Sequence, residues 1–84
     1  MYWTYLLECQ ADKSWYIGYT SNLKKRLSEH QNSYGSKTTS KKTCWKLIYC
    51  EGYIEMDDAK GREVFLKSGS GRKFLKKQLT KYLT

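Results

Sequence analysis

Residues 15–30, WYIGYTSNLKKRLSEH, combine a strand, a tight turn and a basic helix. Trp15 to Tyr19 are mostly aromatic or β-branched, a composition that favours a strand. Gly18 has no Cβ, so another backbone, a side chain or a phosphate can approach closely at that point. Ser21 or Asn22 can supply the N-cap of the helix that follows. The segment therefore predicts a strand that leads directly into a helix.

The basic helix is expected to carry a polar edge beside an apolar stripe. Leu23 and Leu27 repeat at i, i+4 and form the stripe. Arg26 and His30 repeat at the same spacing, and on a helix they share a face with the leucines. A cation and a titratable imidazole therefore border the core, close to the strand that carries Tyr16. We expect the chemistry of the protein at this place.

The whole chain fits one small domain. It has 84 residues, near the lower limit for a self-sufficient core, and 15% of them are aromatic, which helps a small chain to bury enough area. The short polar link between the first two strands implies that they pair antiparallel. The expected elements are strands over Tyr2–Cys9, Trp15–Tyr19 and Thr43–Tyr53, a surface loop over Asn32–Lys42, and helices over Asn22–Gln31, from about Glu55–Asp58 to Leu66, and over Gly71–Leu83.

Positive charge is concentrated in the last third of the chain. The formal net charge is +8, and residues 60–84 hold eight lysines or arginines against one acid, Glu63. A field of one sign attracts polyanions through steering and counterion release, so we expect contact with nucleic acid. The alternative is a surface that only keeps the protein soluble. The residues expected to contact the nucleic-acid backbone are Lys37, Lys41, Lys42, Arg72, Lys73 and Lys76.

Other classes of protein are disfavoured by the sequence. It contains no apolar run long enough to span a membrane and no strong amphipathic anchor, and the first residues, MYWTYLL, lack the layout of a signal peptide. Cys9, Cys44 and Cys50 are odd in number and lack CxxC spacing, which argues against a disulfide framework and a zinc site. We therefore expect small buried thiols in a cytoplasmic protein without a membrane partner.

The second helix places a carboxylate on its apolar stripe. The stripe runs through Met56, Ala59, Glu63 and Leu66. A lone carboxylate on an inward face costs several kcal/mol unless it is paired or bound to a metal. Glu63 is therefore a candidate functional residue. The alternatives are a structural pair with an arginine or a tyrosine, or a shifted helix phase that leaves it exposed.

The segment KSGSGRK, residues 67–73, ends the second helix and starts the third. Gly69 is expected as the C′ residue of the second helix, and Ser70 as the N-cap of the third. A helix N-terminus beside Arg72 and Lys73 is suited to phosphate, although an ordinary turn between helices has the same composition.

Phosphodiester hydrolysis would give each polar candidate a role. It requires removal of a proton from water, balance of the charge on phosphorus, a metal, and protonation of the leaving oxygen. Arg26 matches phosphate oxygens with a bidentate fork, and Glu63 suits a single Mg²⁺. Tyr16, or Tyr5 beside it, can relay a proton, with His30 orienting or deprotonating that tyrosine or the water. The alternatives are core tyrosines, a histidine that only favours the helix dipole, and a solvated surface arginine.

The same residues carry a resemblance to the GIY-YIG endonuclease superfamily. Tyr16-Ile17-Gly18 repeats its second signature literally, and TYLLEC places Tyr5 at the tyrosine of the first. Arg26 matches the family's arginine, His30 a histidine that many members carry one turn later, and Glu63 the metal-binding glutamate. The chain resembles most closely the small single-domain members related to the nuclease domain of the bacterial excinuclease.

The resemblance implies both a fold and an activity. The fold is α+β, a three-stranded antiparallel sheet flanked by about three helices, in a single nuclease domain over residues 1–84. The activity is metal-dependent endonuclease cleavage of DNA, with repair or recombination as a candidate setting. Glu63 would hold Mg²⁺ or Mn²⁺, Arg26 would stabilise phosphate, and Tyr5, Tyr16 and His30 would handle the nucleophile.

Two departures from the family pattern keep other functions open. Several members carry an asparagine downstream of the glutamate, where this chain has Leu75, and excinuclease-type domains carry a lysine after YIG, where it has Tyr19. One rival is therefore a catalytically inert nucleic-acid-binding module of the same fold, and another is a protein-interaction domain. RNA stays open beside DNA, and a homodimer or a partner protein could supply specificity.

Overall fold

The computed structural model describes residues 1–31 and 44–84 and confirms the α+β class with a three-stranded antiparallel sheet. The predicted nucleic-acid contacts Lys37, Lys41 and Lys42 lie outside the described residues. In chain order the elements are β1 (Tyr2–Cys9), β2 (Trp15–Thr20), α1 (Leu23–Gln31), β3 (Trp45–Tyr53), α2 (Met56–Lys67), α3 (Gly69–Gln78) and α4 (Thr80–Leu83).

The sheet has the order β2-β1-β3, so β1 is central and the other two strands form its edges. Its two faces bury different clusters, as the alternation along β1 requires. On one face Tyr5, Leu7 and Cys9 join Trp45, and the stripe of α1 packs against them. On the opposite face the core residues are Leu6, Ile17, Leu66 and Leu75. The sheet therefore lies between α1 and the pair α2 and α3.

An irregularity in the pairing of β1 with β3 changes which residues face each helix. Leu7 pairs with Leu47, but Leu6 pairs with Tyr49, so Ile48 is an extra residue on β3. As a result Ile48 and Tyr49 both pack against the cluster on the α2 and α3 face. Strict alternation along β3 holds only up to Leu47.

The junction between α2 and α3 differs from the prediction. Ser68, not Ser70, is the N-cap of α3, because its Oγ accepts a hydrogen bond from the backbone N–H of Gly71 at 3.1 Å. Gly69 follows Ser68, the C-cap of α2, and so occupies the predicted C′ position, but it lacks a positive φ and is also the first residue of α3. Gly71 is buried against α2, where a Cβ would overlap the carbonyl oxygen of Phe65. The two helices therefore meet through backbone contact.

The predicted third helix is divided. Helix α3 ends at Gln78, and the short α4 follows after Leu79, which has φ −105° and ψ 27°. Leu75 and Leu79 pack against the core as predicted. Tyr82 and Leu83 were expected on the same stripe, but they are 42% and 40% exposed because the turn at Leu79 redirects the chain.

The prediction of three free thiols is wrong for two of them. Cys9 ends β1 and pairs across the sheet with Trp45 on β3. Cys44 directly precedes Trp45, so the Cα atoms of Cys9 and Cys44 lie 4.9 Å apart and their sulfurs form a disulfide. Cys50 is a half-buried free cysteine. None of the helices within the described ranges is long and apolar enough to cross a membrane.

Candidate active site

The site is built around the hydroxyl of Tyr5, which points across the edge strand β2. Tyr5 is buried on β1 and pairs with Gly18 on β2. A Cβ at Gly18 would lie 2.6 Å from the Tyr5 hydroxyl oxygen. The glycine of the YIG signature is therefore required sterically, and what approaches it is a side chain.

Helix α1 delivers the groups that meet this hydroxyl. Asn22 caps the helix, since its Oδ1 accepts a hydrogen bond from the backbone N–H of Lys25 at 3.1 Å. Leu23 and Leu27 pack against the core cluster that contains Tyr5, as their spacing predicted. This anchoring directs the next polar positions of α1 toward the sheet.

His30 is fully buried at the end of α1 and bonds to Tyr5. Its Nε2 lies 3.0 Å from the Tyr5 hydroxyl oxygen. The Tyr16 ring packs against the imidazole with 5.0 Å between ring centroids, and 6.4 Å separate the centroids of the two tyrosine rings. Two strands and one helix thus bring three of the predicted site residues together.

Arg26 lies beside the same hydroxyl, half-buried. A hydrogen bond between its guanidinium and Tyr5 raises the pKa of the arginine. Its Nη1 also bonds to Glu29 Oε1 at 3.1 Å, one helical turn further along α1. The prediction did not include Glu29, although the i, i+3 spacing of opposite charges was available to indicate it.

Burial sets the protonation of the central pair. It raises the pKa of Tyr5 to about 12, although the hydrogen bond from Arg26 acts in the opposite direction. Burial also lowers the pKa of His30, and the positive charge of Arg26 adds to that effect. At neutral pH the phenol is therefore protonated and the imidazole is neutral, so the hydroxyl can donate to His30 Nε2.

Glu63 approaches from the other side of the sheet, on α2. The hydroxyl of Thr4, the neighbour of Tyr5, donates to the carbonyl of Ala59 at 2.8 Å and ties this helix to β1. The Glu63 side chain is 18% exposed, and it lies between the buried residues Ala59 and Leu66 on the helix stripe. Its charge is the weakest of five influences on the pKa of Tyr5.

The pairing of Glu63 differs from the alternatives considered. Its ion pair is with Lys67 at 3.6 Å and i, i+4 spacing, and within the described part of the chain it does not pair with an arginine or a tyrosine. Met56, expected on the same stripe, is 41% exposed. The carboxylate is therefore inward-facing, and a flexible lysine is its partner.

Glu63 is suited to a divalent metal whose other ligands are mostly water and substrate oxygens. In residues 1–31 and 44–84 no group of three or more His, Cys, Asp or Glu side chains could hold an ion. Mg²⁺ commonly binds one or two carboxylates and completes its shell with water and substrate phosphate. A largely buried carboxylate held only by a long contact to Lys67 fits that manner of binding.

The predicted nucleic-acid contacts of α3 lie away from Tyr5. Arg72 and Lys73 are exposed near the start of this helix, and Lys76 is exposed in its last turn. The Arg72 guanidinium carbon lies 5.7 Å from the centroid of the Trp15 ring, which belongs to β2. Leu75, at the position of the family's asparagine, is fully buried in the core and contributes packing.

Comparison with known proteins places these features in a family. Residues 1–78 match the GIY-YIG catalytic domain. A UPF0213 protein of Streptococcus pneumoniae is 41% identical over 63 residues, which cover 75% of this chain and 63% of that protein. A UPF0213 protein of Clostridium perfringens is 39% identical over 67 residues, which cover 80% and 71% of the two chains. The chain thus spans less than two thirds of the pneumococcal relative.

The fold has a solved counterpart. The solution NMR structure of a UPF0213 protein from Bacillus halodurans aligns with a TM-score of 0.55 and 32% sequence identity, covering 98% of this chain and 85% of that one. The match of residues 1–78 includes every candidate site residue described above. The chain belongs to the GIY-YIG family, with UPF0213 proteins among its relatives.

Proposed function

We propose that the protein is a metal-dependent endonuclease that hydrolyses phosphodiester bonds in DNA. The observation that carries the proposal is the hydroxyl of Tyr5, which is bonded to a buried neutral imidazole and lies beside a guanidinium. A proton donor, a proton acceptor and a phosphate-binding group thus meet at one atom. Family membership supports the same class of reaction.

Tyr5 and His30 form the proposed proton path. The Tyr5 oxygen accepts the proton of the attacking water as its own proton moves to His30 Nε2, so the phenolate is never released into the buried site. The neutral state of His30 at pH 7 permits this transfer. We assign the relay to Tyr5 in preference to Tyr16 because His30 bonds to the Tyr5 hydroxyl.

The remaining groups act on the phosphate or position the imidazole. Arg26 presents a fork of N–H donors that matches phosphate oxygens, and Glu29 keeps that fork oriented. Tyr16 packs on the imidazole and fixes its plane. Glu63 would hold Mg²⁺ or Mn²⁺, which when bound polarises the phosphate and neutralises developing charge.

The proposal is tested by cleavage of linear, nicked and branched DNA in Mg²⁺, Mn²⁺ or EDTA. Glu63→Gln keeps the shape of the side chain and removes its charge, so we expect cleavage to fall at least a hundredfold while binding in EDTA persists. Asp57→Asn, an exposed acid in the first turn of the same helix, is the matched control. Undiminished cleavage by Glu63→Gln would contradict the metal assignment. Binding without cleavage by the wild type would instead favour an inert nucleic-acid-binding module.

A further inference from the structure

A cleft of about 800 Å³ opens between the β1–β2 turn, β3 and the helices α3 and α4. It contains none of the residues around the Tyr5 hydroxyl, but it includes Arg72 and Lys76, two of the predicted nucleic-acid contacts. We call it the hairpin cleft. It combines four cations with two aromatic rings, namely Lys13, Lys46, Arg72 and Lys76 with Trp15 and Tyr82.

A buried carboxylate holds both rings in place. Glu8 is 4% exposed and accepts hydrogen bonds from Trp15 Nε1 at 3.2 Å and from the Tyr82 hydroxyl at 2.7 Å. Burial acts to raise the pKa of Glu8, but the hydrogen bonds from Tyr82, Trp15 and Gln10 outweigh it and the pKa is lowered. The ionised Glu8 carboxylate thus orients both rings, and the shape of the cleft does not depend on a bound ligand.

Two of the four cations of the hairpin cleft lie over its aromatic rings. Arg72 lies 5.7 Å from the centroid of the Trp15 ring, and Lys46 Nζ lies 5.5 Å from the centroid of the Tyr82 ring. Within residues 1–31 and 44–84, no carboxylate forms a salt bridge with any of the four cations. The ionised Glu8 carboxylate also lines the cleft and interacts electrostatically with Lys13, but the four cations outnumber it. The cleft therefore favours an anionic ligand that also presents flat apolar faces.

The hairpin cleft continues toward the candidate active site. A smaller cleft of about 240 Å³ shares Trp15 and Arg72 with it and is also lined by Tyr16 and Lys67. Tyr16 packs on His30, and Lys67 is the partner of Glu63. Lys67 and Arg72 therefore line the surface between the candidate active site and the hairpin cleft.

We propose that the hairpin cleft binds an unpaired strand that flanks the scissile phosphate, so that the substrate class is DNA with a single-stranded branch, flap or overhang beside the cleavage position. The inference rests on the proposed nuclease function. Aromatic rings beside cations bind unstacked bases and their phosphates, whereas the bases of an intact duplex are stacked and cannot reach such rings. The charge of the cleft fits the backbone, and its rings fit the bases.

Binding is tested in EDTA by the fluorescence anisotropy of a short labelled oligothymidylate. Tyr82→Ala removes a stacking ring and is expected to weaken binding about fivefold or more. Tyr82→Phe retains the ring but loses its hydrogen bond to Glu8, so its affinity should lie between those of Tyr82→Ala and the wild type. Lys76→Gln should lower the salt dependence of binding by about 0.7 in the log–log slope. Lys77→Gln, a neighbour on α3 outside the cleft, is the matched control and should leave the affinity close to wild type.

Two outcomes separate this inference from the proposed function. Equal effects of Lys76→Gln and Lys77→Gln, with unchanged binding by Tyr82→Ala, would overturn the cleft assignment even if cleavage depends on Glu63. If the variants bind oligothymidylate as expected but the wild type cleaves no substrate, the single-strand site would be supported and the proposed nuclease function would be overturned. If the nuclease function and the single-strand site are both supported, the wild type should cut DNA with an overhang faster than blunt duplex, and Tyr82→Ala should lose that preference.

Discussion

At the scale of single residues, Gly18 determines where the Tyr5 hydroxyl lies. A methyl group at this position would come within 2.6 Å of that oxygen, so Gly18→Ala must displace the Tyr5 ring and disturb its hydrogen bond to His30. We expect the variant to lose about 1–3 kcal/mol of unfolding free energy in urea and at least tenfold in cleavage rate. Gly61→Ala, where a Cβ meets nothing within 4 Å, is the control and should retain both. Wild-type cleavage by Gly18→Ala would contradict the placement of Tyr5.

The ionisation of His30 is the second prediction at this scale. The chain has one histidine, so NMR titration reports it without ambiguity. Because burial lowers the pKa of His30 in the folded state, we expect titration below the usual value of about 6.5. The buried neutral imidazole then contributes stability that is complete above the unfolded pKa and is lost as pH falls through the folded pKa. A pKa above about 6.5 would contradict a neutral proton acceptor.

At the scale of elements, the contact between α2 and α3 depends on Gly71. A Cβ there would overlap backbone atoms of Phe65 and Leu66, which cannot move without separating the helices. We expect Gly71→Ala to lower the free energy of unfolding by about 3 kcal/mol or more. Gly69→Ala, two residues earlier with nothing within 4 Å, should leave it unchanged or raise it by up to about 1 kcal/mol. Equal stabilities of the two variants in urea would contradict backbone packing at this junction.

The same elements show what local sequence can predict. Helix α1 was predictable because its cap and its leucine spacing are properties of neighbouring residues. The start of α3 was not, since Ser68 and Ser70 are both capable caps and only the packing of Gly71 against α2 selects Ser68. Glu63 could be recognised as a carboxylate on an apolar stripe, but its proximity to Tyr5 depends on how α2 crosses the sheet.

At the scale of the whole molecule, the features that escaped prediction are long-range. The Cys9–Cys44 disulfide follows from the pairing of β1 with β3, which no residue spacing reveals. The hairpin cleft depends on a hydrogen bond between Glu8 and Tyr82, 74 residues apart. The bond between Tyr5 and His30 spans 25 residues, and the family resemblance supplied the expectation that they act together. The fold class was predictable because three strand patterns and the helical stripes already define it.

The whole account depends on one hydroxyl, so the most direct measurement is the single-turnover rate of DNA cleavage by Tyr5→Phe in Mg²⁺. Tyr53→Phe, which removes a hydroxyl bonded to Glu51 at 2.6 Å on the opposite edge strand β3, is the matched control. We predict that Tyr5→Phe folds and binds DNA but cleaves at least about a hundredfold more slowly, while Tyr53→Phe cleaves near the wild-type rate. Cleavage by Tyr5→Phe at the wild-type rate would contradict the proposed proton path through Tyr5 and His30.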